Sequence, residues 1–272
     1  MLPFKSFIQL DEHVLFGKDM DMTLGHSSAR VQLKHPTEKR IMTNTEVMKE
    51  IGTTHLDKSL HQERISSPHS PFRFTDDEFN TVVGKRPDLN KHKRFDYSEH
   101  IKAEGMHGFE FFPKALRGLR KIASMAPDKV KSIIMTARSD LTSTTPGKTP
   151  QDIMSDVFHK KAGIKVTPST QQYTHIIRTG NPEWDIAPGV TGTPHERKEK
   201  ALSSILDEAK RKGKPFKRVV FADDNIGMLD TCKNIANKHK IPVTFYHANP
   251  IKDENGHISD VSFKRYHFKP GQ

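Results

Sequence analysis

Cysteine occurs once in the 272 residues, at Cys232. A single thiol excludes an internal disulfide and a multi-cysteine zinc site. Hydrophobic residues are also scarce, at 33% of the chain, against roughly 45–50% in an average globular domain. Part of the chain is therefore expected to be insertion, arm or binding segment rather than core. No run reaches the ~18 apolar residues of a spanning helix, so no membrane partner is expected. The apolar stretch Met1–Ile8 is too short for a secretory signal. These absences point to a soluble protein of the cytoplasm, or of the host cytoplasm if the chain is viral.

Positive charge is what the sequence has in excess: 44 Lys and Arg against 33 Asp and Glu, a net +11. Residues 1–25 carry −2, residues 26–108 carry +2 and residues 109–272 carry +11. A face that attracts polyanions would thus belong to the C-terminal part. A solvated lysine surface accounts for the same count.

Periodicity divides the chain at the same places. The apolar run at 13–18 predicts a buried strand. Residues 26–108 are polar and weakly patterned, and hold eight of the sixteen histidines. Short helices are expected at Thr45–Ile51 and Asp76–Val83, and a loop at Ser66–Pro71. From Phe109 onward, Phe112, Leu116, Leu119, Ile122 and Ala123 recur at helical spacing. Strands are expected at 130–136, 173–178, 218–222 and 242–246. Helices are expected at 150–162, with Thr149 as cap and Gly163 at its end, at Pro194–Arg211, and at 226–239. An irregular hairpin is expected at Ile251–Phe268, turning at Glu254–Gly256. Such alternation predicts an α/β fold, an open and mostly parallel sheet covered by helices on both faces. Ligands then bind beyond the carboxyl ends of the strands.

Those ends hold the reactive side chains. Asp19-Met20-Asp21-Met22-Thr23-Leu24 follows the first strand. Thr136-Ala137-Arg138 follows the second, and Asp223-Asp224 follows the strand at 218–222. Lys198 and Lys200 lie near the start of the helix before that strand. Four carboxylates at one edge repel one another unless a cation sits among them, and hard oxygen donors suit Mg²⁺. A carboxylate can attack phosphorus, and a second one can protonate the leaving group and then activate water. A hydroxyl and a lysine can hold the phosphoryl oxygens. Alternatively, Asp223-Asp224 simply caps the next helix. Elsewhere, the histidines of 26–108 lack metal-ligand spacing. Gly147-Lys148-Thr149 lacks the upstream glycine of a phosphate loop. Cys232 is expected in the core.

The ordered set Asp-x-Asp-x-Thr-Leu, strand-Thr, Lys at a helix start and strand-Asp-Asp resembles the haloacid dehalogenase superfamily of phosphohydrolases. The resemblance covers residues 13–25 and about 109–246. It implies a HAD-like catalytic core formed by 1–25 and 109–272, with 26–108 inserted as an irregular cap or flap. It implies Mg²⁺ as cofactor, Asp19 as nucleophile and metal ligand, and Asp21 as general acid/base with a contact to the metal. Thr136 and Lys198 match the phosphate-holding pair, with Lys198 preferred to Lys200. Asp223 and Asp224 match the acidic metal pair, without a choice between them. Thr23, Arg138 and Lys200 are expected at the substrate.

Two features depart from the family pattern. Gly17 and Lys18 separate the apolar run from Asp19, and Met22 stands where many members have glycine. A weaker resemblance, to the 3′-phosphatase domain of phage-type polynucleotide kinases, implies a nucleic-acid end or nucleotide as substrate. The competing expectation is a non-catalytic scaffold, or a nucleic-acid-binding or virion-associated protein of the same fold. Oligomeric state is not readable from the sequence.

Overall fold

The structure is a computed structural model that describes residues 13–27, 30–125, 130–136, 143–164, 174–178, 194–254 and 258–271. Six strands form its main sheet: β1 (Val14–Asp19), β2 (Val130–Thr136), β3 (Thr174–Arg178), β4 (Arg218–Asp223), β5 (Val243–Lys252) and β6 (Ile258–Phe268). Their spatial order is β6-β5-β4-β1-β2-β3. The first five run parallel, and β6 returns antiparallel along β5. From β1 the chain builds outward through β2 and β3, then crosses back to add β4 and β5 on the other side. That reversal makes the carboxyl ends of β1 and β4 a topological switch point, where a crevice opens for ligands.

Helices α1 (Asn44–Ile51) and α2 (Asp76–Lys85) lie in the polar segment, while α3 (Pro113–Ala123), α4 (Pro150–Val157), α5 (Pro194–Arg211) and α6 (Met228–His239) alternate with the strands. Period-two alternation gives the sheet two apolar faces. Leu15, Ile133, Met135, Phe221 and Phe245 point to one face. They pack there against Ala201, Leu202 and Ile205 of α5 and Cys232 and Ile235 of α6. Val14, Phe16, Val220 and Tyr246 point to the other, against Ile122 of α3. Ile134 packs beside them with Leu119 of α3 and Met154 and Val157 of α4. The predicted mixed α/β class with a mostly parallel sheet is thus present, and Cys232 lies in the core.

The two departures from the family pattern have local explanations. β1 does not stop at Phe16 but continues through Gly17 and Lys18 directly into Asp19. A Cβ on Gly17 would lie 2.3 Å from the Phe221 ring, so only glycine lets β4 close against β1 here. Met22 has φ 59°, in the left-handed region, which explains why glycine suits this turn. Thr149 caps α4 through a box with Asp152, and Gly163 ends the following turn at φ 68°. The hairpin is regular over most of its length, with a single register shift near Ile258–Asp260. Asn255 and Gly256 of its expected turn lie outside the described residues.

The segment 26–108, expected to be irregular, builds a core of its own. Val31, Leu33, Val47, Phe72, Phe74, Val82, Leu89 and Phe95 are all buried in one cluster. Two capping boxes start its helices, Thr43 with Glu46 for α1 and Thr75 with Glu78 for α2. This S/T-x-x-E spacing is legible in the sequence. Glu78 does more than cap. Its carboxylate is buried, receives two bonds from Arg64 at 2.5 and 2.8 Å, and accepts the Asp57 and Thr75 amides. Glu78→Gln removes the charge from this buried pair and should lower stability by roughly 2 kcal/mol. Urea unfolding checks this; a midpoint equal to that of the unaltered chain would contradict it.

Candidate active site

β1 and β4 are neighbours, so their last residues, Asp19 and Asp223, end side by side. Both follow the odd-numbered alternation of Leu15 and Phe221, which puts their carboxylates on the α5 face of the sheet. Lys198 reaches them from α5, three and four residues before Ala201 and Leu202, so the same helix stripe that packs on the core delivers the amine. Its Nζ donates to Asp19 Oδ1 at 2.7 Å and to Asp223 Oδ2 at 2.6 Å. Lys198, Asp19 and Asp223 are all buried.

Asp224 completes the acidic group: oxygens of Asp19, Asp223 and Asp224 lie within 4.8 Å of one another. The turn after β4 holds the pair in place. The Asn225 amide donates to Asp223 Oδ1 at 2.9 Å, and the Gly227 amide donates to Asn225 Oδ1 at 2.9 Å. From β5, His247 Nε2 lies 2.9 Å from the Asp224 carbonyl, and Thr23 donates its hydroxyl to Asp224 Oδ1 at 3.4 Å. Asp21 sits apart, one turn beyond β1. Thr136, at the end of β2, donates to Asp21 Oδ2 at 3.5 Å. The turn carrying Asp21 is closed by the Met22 amide on Gly25 O and the Leu24 amide on Met20 O.

Electrostatics follow from burial and crowding. Desolvation pushes the Asp19 carboxyl well above its usual range; Lys198 opposes this, while Asp223 and Asp224 add to it. Burial, then the Asp223 charge, raises Asp224 to about 7. Burial disfavours the Lys198 ammonium, but Asp19 and Asp223 outweigh it and hold the amine above the ordinary lysine range. Beside the site, burial alone lowers Lys18 to about 7.

Two of these shifts predict opposite pH limbs for the protein in EDTA. Between about 4 and 7, folded Asp224 keeps a proton that the unfolded chain has released, so its stabilising contribution is lost as pH rises through that window. Between about 7 and 10.5, the unfolded chain holds a proton that folded Lys18 has released, so stability is regained as pH rises. Urea midpoints compared at pH 5, 7 and 9.5 should show Asp224→Asn flattening the acid limb and Lys18→Met the alkaline one. Variants with unchanged pH profiles would remove this assignment.

The structure thus brings Asp19, Asp223, Asp224 and Lys198 together and places Asp21 with Thr136. Asp21's carboxylate is not part of the three-carboxylate group. Three hard oxygen donors at this spacing could hold a divalent cation, which would keep further positions for water or substrate. Thr23, expected at the substrate, is instead 1% exposed and spends its hydroxyl on Asp224. Lys200 is exposed, because two residues along a helix turn it away from the buried stripe that carries Lys198. Arg138 lies outside the described residues. Sequence reading missed Asn225 and His247, which hold the acidic pair. An Asx turn after Asp-Asp was a legible signal for the first; a histidine across a strand pair gives none.

Fold and site together define an α/β protein with a lysine-bridged acidic site at the switch point of its sheet. No family model, curated protein or solved structure matches the chain. Among the described residues, no helix is long and apolar enough to cross a membrane.

Proposed function

We propose that this chain is a Mg²⁺-dependent phosphomonoesterase of the haloacid dehalogenase type that works through a phosphoryl group carried on Asp19. The supporting observation is the contact of Lys198 with both Asp19 and Asp223, beside Asp224, at the carboxyl ends of β1 and β4. A carboxylate group of this kind fits Mg²⁺: its donors are hard oxygens, and three of them leave room for waters and a phosphate oxygen. Bound among Asp19, Asp223 and Asp224, the ion would supply positive charge against the phosphoryl oxygens.

The residues divide the work. Asp19 attacks phosphorus through a carboxylate oxygen as the bond from phosphorus to the leaving oxygen breaks. Asp21 gives that oxygen its proton, then takes one from the water that attacks the acyl phosphate and frees phosphate and Asp19. The Thr136 hydroxyl, now on Asp21, and the Lys198 ammonium would donate to the phosphoryl oxygens. The segment 26–108, inserted between Asp21 and Thr136, would cover the site and select the leaving group.

The substrate we favour is a nucleic-acid end, a 3′-phosphate in particular, or a nucleotide. The net +11 of residues 109–272 suits a partner with more than one phosphate. The test compares phosphate release, with and without Mg²⁺, from an aryl phosphate, a 3′-phosphorylated oligonucleotide, a 5′-phosphorylated one and free nucleotides. Metal-dependent release fastest from the 3′-phosphate supports the full reading. Equal rates on all substrates remove the nucleic-acid preference. No release from any of them leaves the non-catalytic scaffold as the better reading.

A further inference from the structure

The register of the main sheet carries the site sideways. Asp223, the last residue of β4, pairs with His247 of β5, and His247 pairs with Lys264 of β6. On the other side, Asp19 follows the pair Lys18–Ala222 and so ends level with Asp223. Residues directly opposite on neighbouring strands share a face. Asp19, Asp223, His247 and Lys264 thus form one row across four strands, on the face of the lysine-bridged carboxylates. The rings one step lower agree: Phe245 and Tyr266 stack at 6.2 Å, and both belong to the apolar cluster of that face. Alternation sends the next cations of β6, Arg265 and His267, to the opposite face.

Strands lie ~4.8 Å apart, so the Lys264 backbone stands about 10 Å from that of Asp223. Lys264 is exposed, its amine rests 5.3 Å from the Tyr266 ring, and no carboxylate pairs with it among the described residues. The ring contact is weak at an exposed site, and the amine is a flexible point charge suited to phosphate. We infer that Lys264 is a specificity-determining residue, which holds a second phosphate of the substrate while the first lies at Asp19 and Lys198. The second phosphate is the phosphodiester next to a nucleic-acid 3′ end. It lies one nucleotide from the terminal phosphate, whereas an aryl phosphate or a nucleoside monophosphate has no group to place there. This inference rests on the proposed phosphatase reading and deepens it. An edge strand is also protected from other strands by charge, but there either sign serves; a phosphate contact needs the positive one.

Calorimetric titration of the full chain in Mg²⁺ tests this, with Asp19→Asn as the background so that phosphate is retained. The ligands are a nucleoside 3′-monophosphate, a nucleoside 3′,5′-bisphosphate and a tetranucleotide with a 3′-phosphate. Adding Lys264→Ala should weaken the bisphosphate and the tetranucleotide about fivefold and leave the monophosphate within about twofold. The salt slope for the tetranucleotide should fall by about 0.7, one phosphate contact on a single strand. Lys264→Arg should keep the binding. Lys264→Glu, which protects the edge equally well, should bind more weakly than Lys264→Ala. Lys217→Ala removes an exposed lysine at the opposite edge of the sheet and should change nothing. The inference is overturned if the background binds no tetranucleotide, if Lys264→Ala binds the bisphosphate as tightly as the background, or if the monophosphate loses as much. Binding by Lys264→Glu equal to that of the background overturns it too. Aryl phosphate turnover by the unaltered chain is read separately: turnover with a silent Lys264 discards this contact alone, and a Lys264 effect without turnover discards the chemistry alone.

Discussion

Asp19→Asn should reduce Mg²⁺-dependent phosphate release by at least about a thousandfold, the scale on which removal of a nucleophile acts. The reason lies in the chemistry of the atom replaced. An amide oxygen cannot form the acyl phosphate, so the first bond to phosphorus never forms. The fold should survive. The substituted amide still offers an oxygen to Lys198, whose amine now lies 2.7 Å from the Asp19 carboxylate. One negative charge also leaves a buried group in which Asp223 and Asp224 already crowd Asp19. A urea midpoint at pH 8 in EDTA equal to or above that of the unaltered chain would accompany the lost turnover. Asp21→Asn gives a complementary result. Transfer to Asp19 can proceed with a good leaving group, but hydrolysis slows, so acid-quenched protein should carry a phosphoryl adduct visible by mass. Full activity in Asp19→Asn would overturn the nucleophile assignment. An adduct at another residue would overturn it as well.

Much of the sheet was legible because its strands are buried on both faces and read as short apolar runs, as at Val219–Ala222 and Ile133–Met135. Placing reactive residues after those runs put them at the carboxyl ends of strands, but that β1 and β4 are neighbours at a switch point came only from the sheet order. The strand expected at 13–18 is present as Val14–Asp19, but the reason for its glycine was not legible: Gly17 makes room for Phe221 on a neighbouring strand. That is a contact between residues some two hundred positions apart, invisible to local periodicity. The segment 26–108 reads as irregular for a related reason. Its apolar residues are spread thinly over short elements, and its core forms only when Phe72, Phe74 and Phe95 meet across them. At the site, Lys198 was preferred to Lys200 because Ala201 and Leu202 follow it at helical core positions as in the resembled family pattern, and the structure puts it on that buried stripe. The roles of His247 and Asn225 needed coordinates, since each acts by holding the pair rather than by its own chemistry.

Lys198→Met should cost the metal-free protein about 3–5 kcal/mol at pH 8, the penalty for removing one partner of a buried charge pair. In the unaltered chain one ammonium serves two buried carboxylates, at 2.7 and 2.6 Å. Without it, Asp19 and Asp223 face each other and Asp224 with no compensating charge. The loss should shrink toward pH 5, because burial already holds the Asp19 and Asp224 carboxyls above their usual range and protonation relieves the repulsion. The sign is fixed: a raised carboxyl stabilises the folded state below its unfolded value and loses that contribution as pH rises. Mg²⁺ should restore much of the loss at pH 8 if the three carboxylates bind it, since the ion brings two positive charges to the place the amine left. Lys200→Met is the control, an exposed side chain on the same helix whose loss should stay within about 0.5 kcal/mol. Urea midpoints for both variants, at pH 5 and 8 and with or without Mg²⁺, separate the possibilities. A Lys198→Met midpoint that matches Lys200→Met would mean that the amine does not hold the acidic group together. A pH-dependent loss that Mg²⁺ leaves unchanged would keep the ion pair and discard the metal site.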